Sequence, residues 1–251
     1  ELAATFDSTN GKVVIAYMDG GNSNYGTAVV GTVSGTSISF GTPVVFNSAQ
    51  TEYISATFDS TNGKVVITYN DEGNSSSGTA IVGTVSGTSI SFGSEAVFNS
   101  GQSVSTSTFD STNGKVVIVF RDGPNSNYGT AVVGTISGTS ISFGSETVFE
   151  SARTDFATAA FDSSNGKVVI AYRDYGNSNY GTAVVGTVSG TSISFGTPVV
   201  FNNGGNTVYT STIFDSTNNK VVIAYRDGGN SNYGTAIVGT VSGTSISFGT
   251  A

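Results

Sequence analysis

The sequence predicts an all-β fold, a five-bladed β-propeller of four-stranded antiparallel blades, and three observations predict it. One unit recurs five times, each copy holds four strand-like runs, and no stretch has helical periodicity or capping signals. The string Gly-Thr-(Val/Ile)-Ser-Gly-Thr-Ser-Ile-Ser-Phe begins at Gly31, Gly83, Gly134, Gly186 and Gly239, in steps of 52, 51, 52 and 53 residues. From the Phe of each Phe-Asp-Ser (Phe6, Phe58, Phe109, Phe161, Phe214) to the last Phe of Ser-Ile-Ser-Phe (Phe40, Phe92, Phe143, Phe195, Phe248) the distance is always 34 residues. Length changes only between Phe46, Phe98, Phe149 or Phe201 and the next Phe-Asp-Ser, where the distances are 12, 11, 12 and 13. The units are expected at 1–46, 47–98, 99–149, 150–201 and 202–251, within a single domain spanning 1–251.

The first strand of a unit, such as Ile54-Ser55-Ala56-Thr57-Phe58, is short and built of small residues. Asp7-Ser8-Thr9-Asn10-Gly11-Lys12 follows with the Asn-Gly signal of a tight primed hairpin. Lys12-Val13-Val14-Ile15-Ala16-Tyr17 is β-branched and apolar on both alternating faces, so it is expected to be buried from two sides. After a longer polar loop, Gly26 to Val33 makes a third strand and Ser34-Gly35 turns the chain. Thr36 to Phe40 makes a fourth strand, with Ile38 and Phe40 on one face and Ser37 and Ser39 on the other, as at a half-exposed edge.

A four-stranded sheet of this size cannot bury both faces alone, so the copies must stack, and stacking around an axis gives a propeller. Small residues suit the first strand at the crowded axis, and doubly apolar second and third strands suit packing between blades. Tandem sandwich domains need roughly 100 residues each, about twice the period here. Solenoid coils are much shorter and carry no such hairpins. The copy number, period and strand order resemble the tachylectin-type five-bladed lectins with near-identical blades. The repeat text is also similar to that of long repetitive bacterial and viral surface or fibre proteins. The first resemblance implies a multivalent sugar-binding propeller, the second a structural bead.

Composition narrows the chemistry. The chain has no His, Cys or Trp and one Met, Met18, so it lacks an imidazole base, a thiol nucleophile, a disulfide and the usual ligands of transition metals. No cofactor is expected. A net charge of −8 disfavours nucleic acid, which calls for a basic stripe. Charged residues are only 10% of the chain and Gly numbers 34, which leaves a surface of hydroxyls and amides. No apolar run approaches the roughly 20 residues of a membrane helix. The Asp of Phe-Asp-Ser (Asp7, Asp59, Asp110, Asp162, Asp215) is assigned to bonding turn amides. Identical copies of one carboxylate do not make the two different environments of a glycosidase pair, so no enzyme is expected.

Candidate binding residues sit on the face that carries the second-to-third loops and the variable connectors. The loop recurs with Asp19, Asn22 and Tyr25; Asp122, Asn125 and Tyr128; Asp174, Asn177 and Tyr180; and Asp227, Asn230 and Tyr233. The second copy reads Asp71-Glu72-Gly73-Asn74-Ser75-Ser76-Ser77 and has lost the Tyr. A carboxylate, amides and a ring are what a sugar site uses. The same residues also serve as Asx caps, positive-φ positions and packing between blades, and oxygen ligands leave calcium open. Arg121, Arg173 and Arg226 precede the Asp in three copies, where Met18 and Asn70 stand in the others; a solvated side chain, a contact across blades and an anion or carboxylate clamp are all open for them. The connectors differ between copies, either as tolerant loops or as a contact surface. Asn74-Ser75-Ser76 is a possible glycosylation site. The last copy lacks the Pro43–Phe46 continuation, which leaves two readings: a ring closed without an interleaved terminal strand, or one segment of a longer repetitive polypeptide.

The expectation is an extracellular, cell-surface or virion-surface module without catalysis, a repeating bead of a fibre whose partners are other copies of itself or adjacent repeats. The alternative is a multivalent lectin whose partners are glycans.

Overall fold

A computed structural model describes residues 1–251 as an all-β chain of antiparallel sheets, with one short 3-10 turn at Glu72–Asn74 and no α-helix. No helix is long and apolar enough to cross a membrane. The chain divides into two compact units, Glu1–Ile118 with Gly134–Phe143, and Val119–Val133 with Gly144–Ala251.

In the first unit the opening repeat consists of Leu2–Asp7, Lys12–Asp19, Tyr25–Ser34 and Ser37–Phe40. Each strand pairs with the next, at Asp7↔Lys12, Asp19↔Tyr25 and Ser34↔Ser37. The first turn is a four-residue loop, not the two-residue primed turn that Asn-Gly predicts, because only Gly11 adopts a positive φ (63°). The buried Asp7 carboxylate organises the longer loop. It accepts the amides of Thr9 and Asn10 at 3.0 Å and the Asn10 side-chain amide at 2.8 Å, and its counterparts in the other repeats do the same. The second turn is Gly35-Thr36, with Gly35 at φ 58° in the position where such two-residue turns place glycine.

The variable connector is mostly strand. Val44–Asp59 runs unbroken for 16 residues. Its first half continues the edge begun by Ser37–Phe40, pairing Val44↔Ala28 and Val45↔Thr27. Its second half opens the next repeat, pairing Asp59↔Lys64. One strand therefore stitches two repeats together. A bulge takes up the slack, since the pairing shifts between Glu52 and Ser55 and Tyr53 sits at φ 51°. In the third repeat, whose connector is one residue shorter, no residue of Ser103–Asp110 has a positive φ.

Consecutive repeats pack face to face. In the first unit Val14, Ala16, Ala28 and Val30 of the first repeat meet Val65, Ile67, Tyr69, Ile81, Val85 and Ile90 of the second. Phe46 closes this seam, with its ring 5.2 Å from Tyr69 and 5.7 Å from Phe92. The first strands meet through small side chains, with Ser55 and Ser107 hydroxyls 3.1 Å apart.

The second unit repeats the plan. Thr147–Asp162 pairs backward at Val148↔Thr130 and forward at Asp162↔Lys167, with its bulge between Asp155 and Thr158 and Phe156 at φ 53°. Val169, Ala171, Ala183 and Val185 meet Val221, Ile223, Tyr225, Ile237, Val241 and Ile246. Phe201 lies between Tyr225 and Phe248, and the Thr158 and Thr212 hydroxyls are 2.8 Å apart.

Candidate functional site

Each polar loop is closed by its own backbone, which brings its predicted Asp, Asn and Tyr together. The carbonyl of Asp19 accepts the amide of Asn22 at 3.0 Å, and the carbonyl of Asn22 accepts that of Tyr25 at 2.9 Å. The loops at Asp122, Asp174 and Asp227 carry the same two bonds through Asn125 and Tyr128, Asn177 and Tyr180, and Asn230 and Tyr233. The two residues before each Tyr are left-handed, as at Ser23 (54°) and Asn24 (62°).

The Asp side chains are committed to this architecture. Asp19 accepts the amide of Gly21 at 3.0 Å, Asp122 that of Asn125 at 3.3 Å, Asp174 that of Asn177 at 3.1 Å and Asp227 that of Gly229 at 2.9 Å. Asp227 also accepts the side-chain amide of Asn202 from the preceding connector at 3.2 Å, and Asp71 accepts that of Asn47 at 3.0 Å. Asn22, Asn125, Asn177 and Asn230 are exposed; Tyr25, Tyr128 and Tyr180 are half-buried, and Tyr233 is 64% exposed. Asn74 is exposed within its 3-10 turn.

Glu150 stands where the other connectors have Asn47, Asn99 and Asn202. It therefore faces Asp174 as a second carboxylate where an amide donor would serve. Burial, then the charge of Asp174, pushes the Glu150 carboxyl above its ordinary range, although the Tyr172 hydroxyl donates to it at 3.2 Å. Burial likewise raises Asp174.

The sequence does not reveal how the arginines of the second unit combine. All four of the chain's arginines lie in this unit, and three converge on one carboxylate. Asp155, on the connector of the fourth repeat, is bonded by Arg121 of the third repeat at 2.7 Å, by Arg153 at 3.1 Å and by Arg173. The Arg121 bond crosses from the third repeat to the fourth, one of the options the sequence leaves open, whereas Arg153 and Arg173 belong to the same repeat as Asp155. Burial works against the Asp155 charge, but the bonds from Arg173, Arg121 and Arg153 outweigh it and hold the carboxyl below its ordinary value.

Aromatic rings complete the cluster. Arg173 stacks over Phe156 at 4.9 Å, Arg153 over Tyr175 at 5.5 Å and Arg226 over Tyr209 at 5.3 Å, and the rings of Phe156 and Tyr209 lie 5.0 Å apart. Phe156 and Tyr209 are the positive-φ bulge residues of their connectors (53° and 55°), so the backbone device that absorbs the length change also positions these rings. Tyr209 is 66% exposed and Tyr175 55%. A rigid ring flanked by guanidinium donors can cover the apolar side of a pyranose while the N–H groups reach its hydroxyl or carboxylate oxygens. The signal in the sequence was the departure of these connector residues from the frame, but it named no partners for them.

No family profile and no curated protein matches the sequence. Solved structures do match. SapL1 lectin, in complex with α-methyl fucoside, superposes with a TM-score of 0.60 at 14% identity, over 100% of this chain and 79% of its own. AofleA from Arthrobotrys oligospora gives 0.58 at 8% identity, over 98% of this chain and 68% of its own. The Hadza microbial sialidase Hz136 gives 0.56 at 12% identity, over 95% of this chain and 55% of its own. At such identities the likeness shows the fold alone. This is an all-β fold of the propeller type.

Proposed function

We propose that the chain is a carbohydrate-binding module and that it binds through the arginine–aromatic cluster of the second unit. The observation that carries the reading is the pair of exposed rings, Tyr209 and Tyr175, each stacked under a guanidinium on the face formed by the loops and connectors. The likeness to a lectin solved with a fucoside supports it. The repeated Asp–Asn–Tyr loops take a lesser part than the sequence suggests, because their carboxylates already accept loop amides; their exposed Asn side chains and Tyr233 remain open to ligand. The module works without catalysis and outside the cell or on a particle surface, where glycans are displayed. Several shallow sites on one chain would gain avidity on a multivalent surface.

A glycan array of neutral and acidic sugars tests this, followed by titration of the best ligand. Tyr209→Ala and Tyr175→Ala should each weaken binding about tenfold, the loss of roughly 1.4 kcal/mol of ring contact. Absence of binding to any sugar at millimolar concentration would eliminate the reading.

A further inference from the structure

Asp155 does not by itself account for three arginines. In the first unit Glu52 holds the same register position, opposite Asn70 as Asp155 is opposite Arg173. There the carboxylate is bonded by a neutral amide, that of Gln50 at 2.8 Å, and Asn70 donates instead to Glu72 at 2.7 Å. A carboxylate at this position can therefore stand without any guanidinium, yet Arg121, Arg153 and Arg173 all pair with Asp155. Three cations around one anion repel one another and leave an excess of positive charge, in a chain whose net charge is −8. Asp174 does not offset it. Its partner in register is Thr154, so it turns to the opposite face of the sheet from Asp155 and Arg173, and there it meets Glu150.

Hydrogen-bond donors are in excess as well. A guanidinium has donors only, and the two oxygens of Asp155 are shared among three of them. The side-chain oxygen of Asn206 takes one further N–H of Arg173 at 3.1 Å, while the Arg173 Nε is buried without an acceptor. Arg153, with 45% of its side chain exposed, presents its outer N–H groups to solvent. The cluster is short of negative charge and of acceptors at once.

Two substitutions peculiar to the fourth repeat meet at this exposed edge. Arg153 stands where the other connectors carry the amides Gln50, Gln102 and Asn206, and Tyr175 stands where the other loops carry Gly20, Glu72, Gly123 and Gly228. The Tyr175 amide donates to the Arg153 carbonyl at 3.1 Å, which holds the half-exposed ring 5.5 Å from the guanidinium. Backbone pairing thus fixes a ring and a cation side by side before any ligand arrives.

Building on the reading of this cluster as a sugar site, we propose that the fourth repeat selects carboxylated sugars, with the pyranose ring on Tyr175 and the sugar carboxylate on the outer N–H groups of Arg153, in the field of Arg121 and Arg173. A neutral sugar supplies acceptors but no charge. A carboxylate supplies both, and its planar pair of oxygens matches the guanidinium fork.

An array of neutral pyranosides beside their matching uronates and sulfate esters tests this on the full chain, followed by calorimetric titration of the best matched set. The uronate should bind about tenfold more tightly than its neutral parent. That gain should shrink as salt rises from about 0.05 M to about 0.3 M. Arg153→Gln, which installs the amide of Gln50 and Gln102, should abolish the gain; Asp155 keeps Arg121 and Arg173, and a cooperative thermal transition shows that the variant is folded. Arg153→Lys keeps the charge without the fork and should lose most of the gain. Equal affinity for uronate and neutral parent overturns the proposal and leaves the carbohydrate reading standing, whereas no binding to any sugar removes both. An equal gain from the sulfate ester, or a gain that survives in Arg153→Gln, overturns the carboxylate assignment.

Discussion

Asp155 carries the densest set of charged contacts in the chain, and its neighbours Arg121 and Arg173 have side chains only 18% and 15% exposed. Asp155→Asn would leave both guanidinium groups largely dry and without a counter-charge, and it is expected to cost about 2–3 kcal/mol, the low end for a broken buried pair because Arg153 is well solvated. Because the folded-state carboxyl titrates below its ordinary value of 3.8, this stability is present above that value and is lost as the pH falls through the depressed one. Thermal melts from pH 7 to pH 2 should therefore show a steeper acid decline in the wild type than in Asp155→Asn. Glu150 has the opposite sign. Its carboxyl titrates above 4.5 in the folded chain, so folding favours the protonated form, and stability is lost as the pH rises through the raised value. Glu150→Asn restores the amide that Asn47 and Asn202 supply to Asp71 and Asp227. It should raise the melting temperature at pH 7 by about 2 °C and change little at pH 4, a modest effect because the site is partly solvated.

At the scale of elements, the seam between repeats is an aromatic latch at the end of the edge strand. Phe201 is 8% exposed and lies 5.2 Å from Tyr225 and 5.7 Å from Phe248. Phe201→Ala should cost about 3–5 kcal/mol, measured by denaturant unfolding. A close approach of backbones holds the seam elsewhere: a Cβ built on Gly93 would lie 1.9 Å from the carbonyl oxygen of Thr139 in the next repeat. Gly93→Ala must shift one strand or the other and is expected to cost roughly 2–3 kcal/mol. The strands themselves were legible in the sequence, because two-sided apolar runs and clean alternation follow from backbone geometry and burial alone. The hairpin was legible in place but not in kind. Asn-Gly marks a turn, but the Asp7 carboxylate, which captures two amides and a side chain, selects a four-residue loop. The connector was misread as a loop because its polar residues pair through their backbones, which composition does not reveal.

At the scale of the whole molecule, near-identical repeats carry charged and aromatic substitutions that are not shared equally among them. The lysines, Lys12, Lys64, Lys115, Lys167 and Lys220, recur in every copy and each donates to a Thr hydroxyl, as Lys12 does to Thr32 at 2.8 Å. The arginines occur only from the third repeat onward, where Met18 and Asn70 stand in the earlier ones. The frame was therefore readable from periodicity, while the proposed site arises from substitutions in separate repeats that only folding brings to one carboxylate and a group of rings. The most direct test of that division is calorimetric titration of the best array glycan into the wild type, into Tyr209→Ala combined with Arg226→Ala, and into Tyr53→Ala, the matching bulge position of the first unit. Binding should fall by a factor of about one hundred in the double variant, near 2.7 kcal/mol, and stay unchanged in Tyr53→Ala. Equal loss in both, or none in the double variant, would contradict the account.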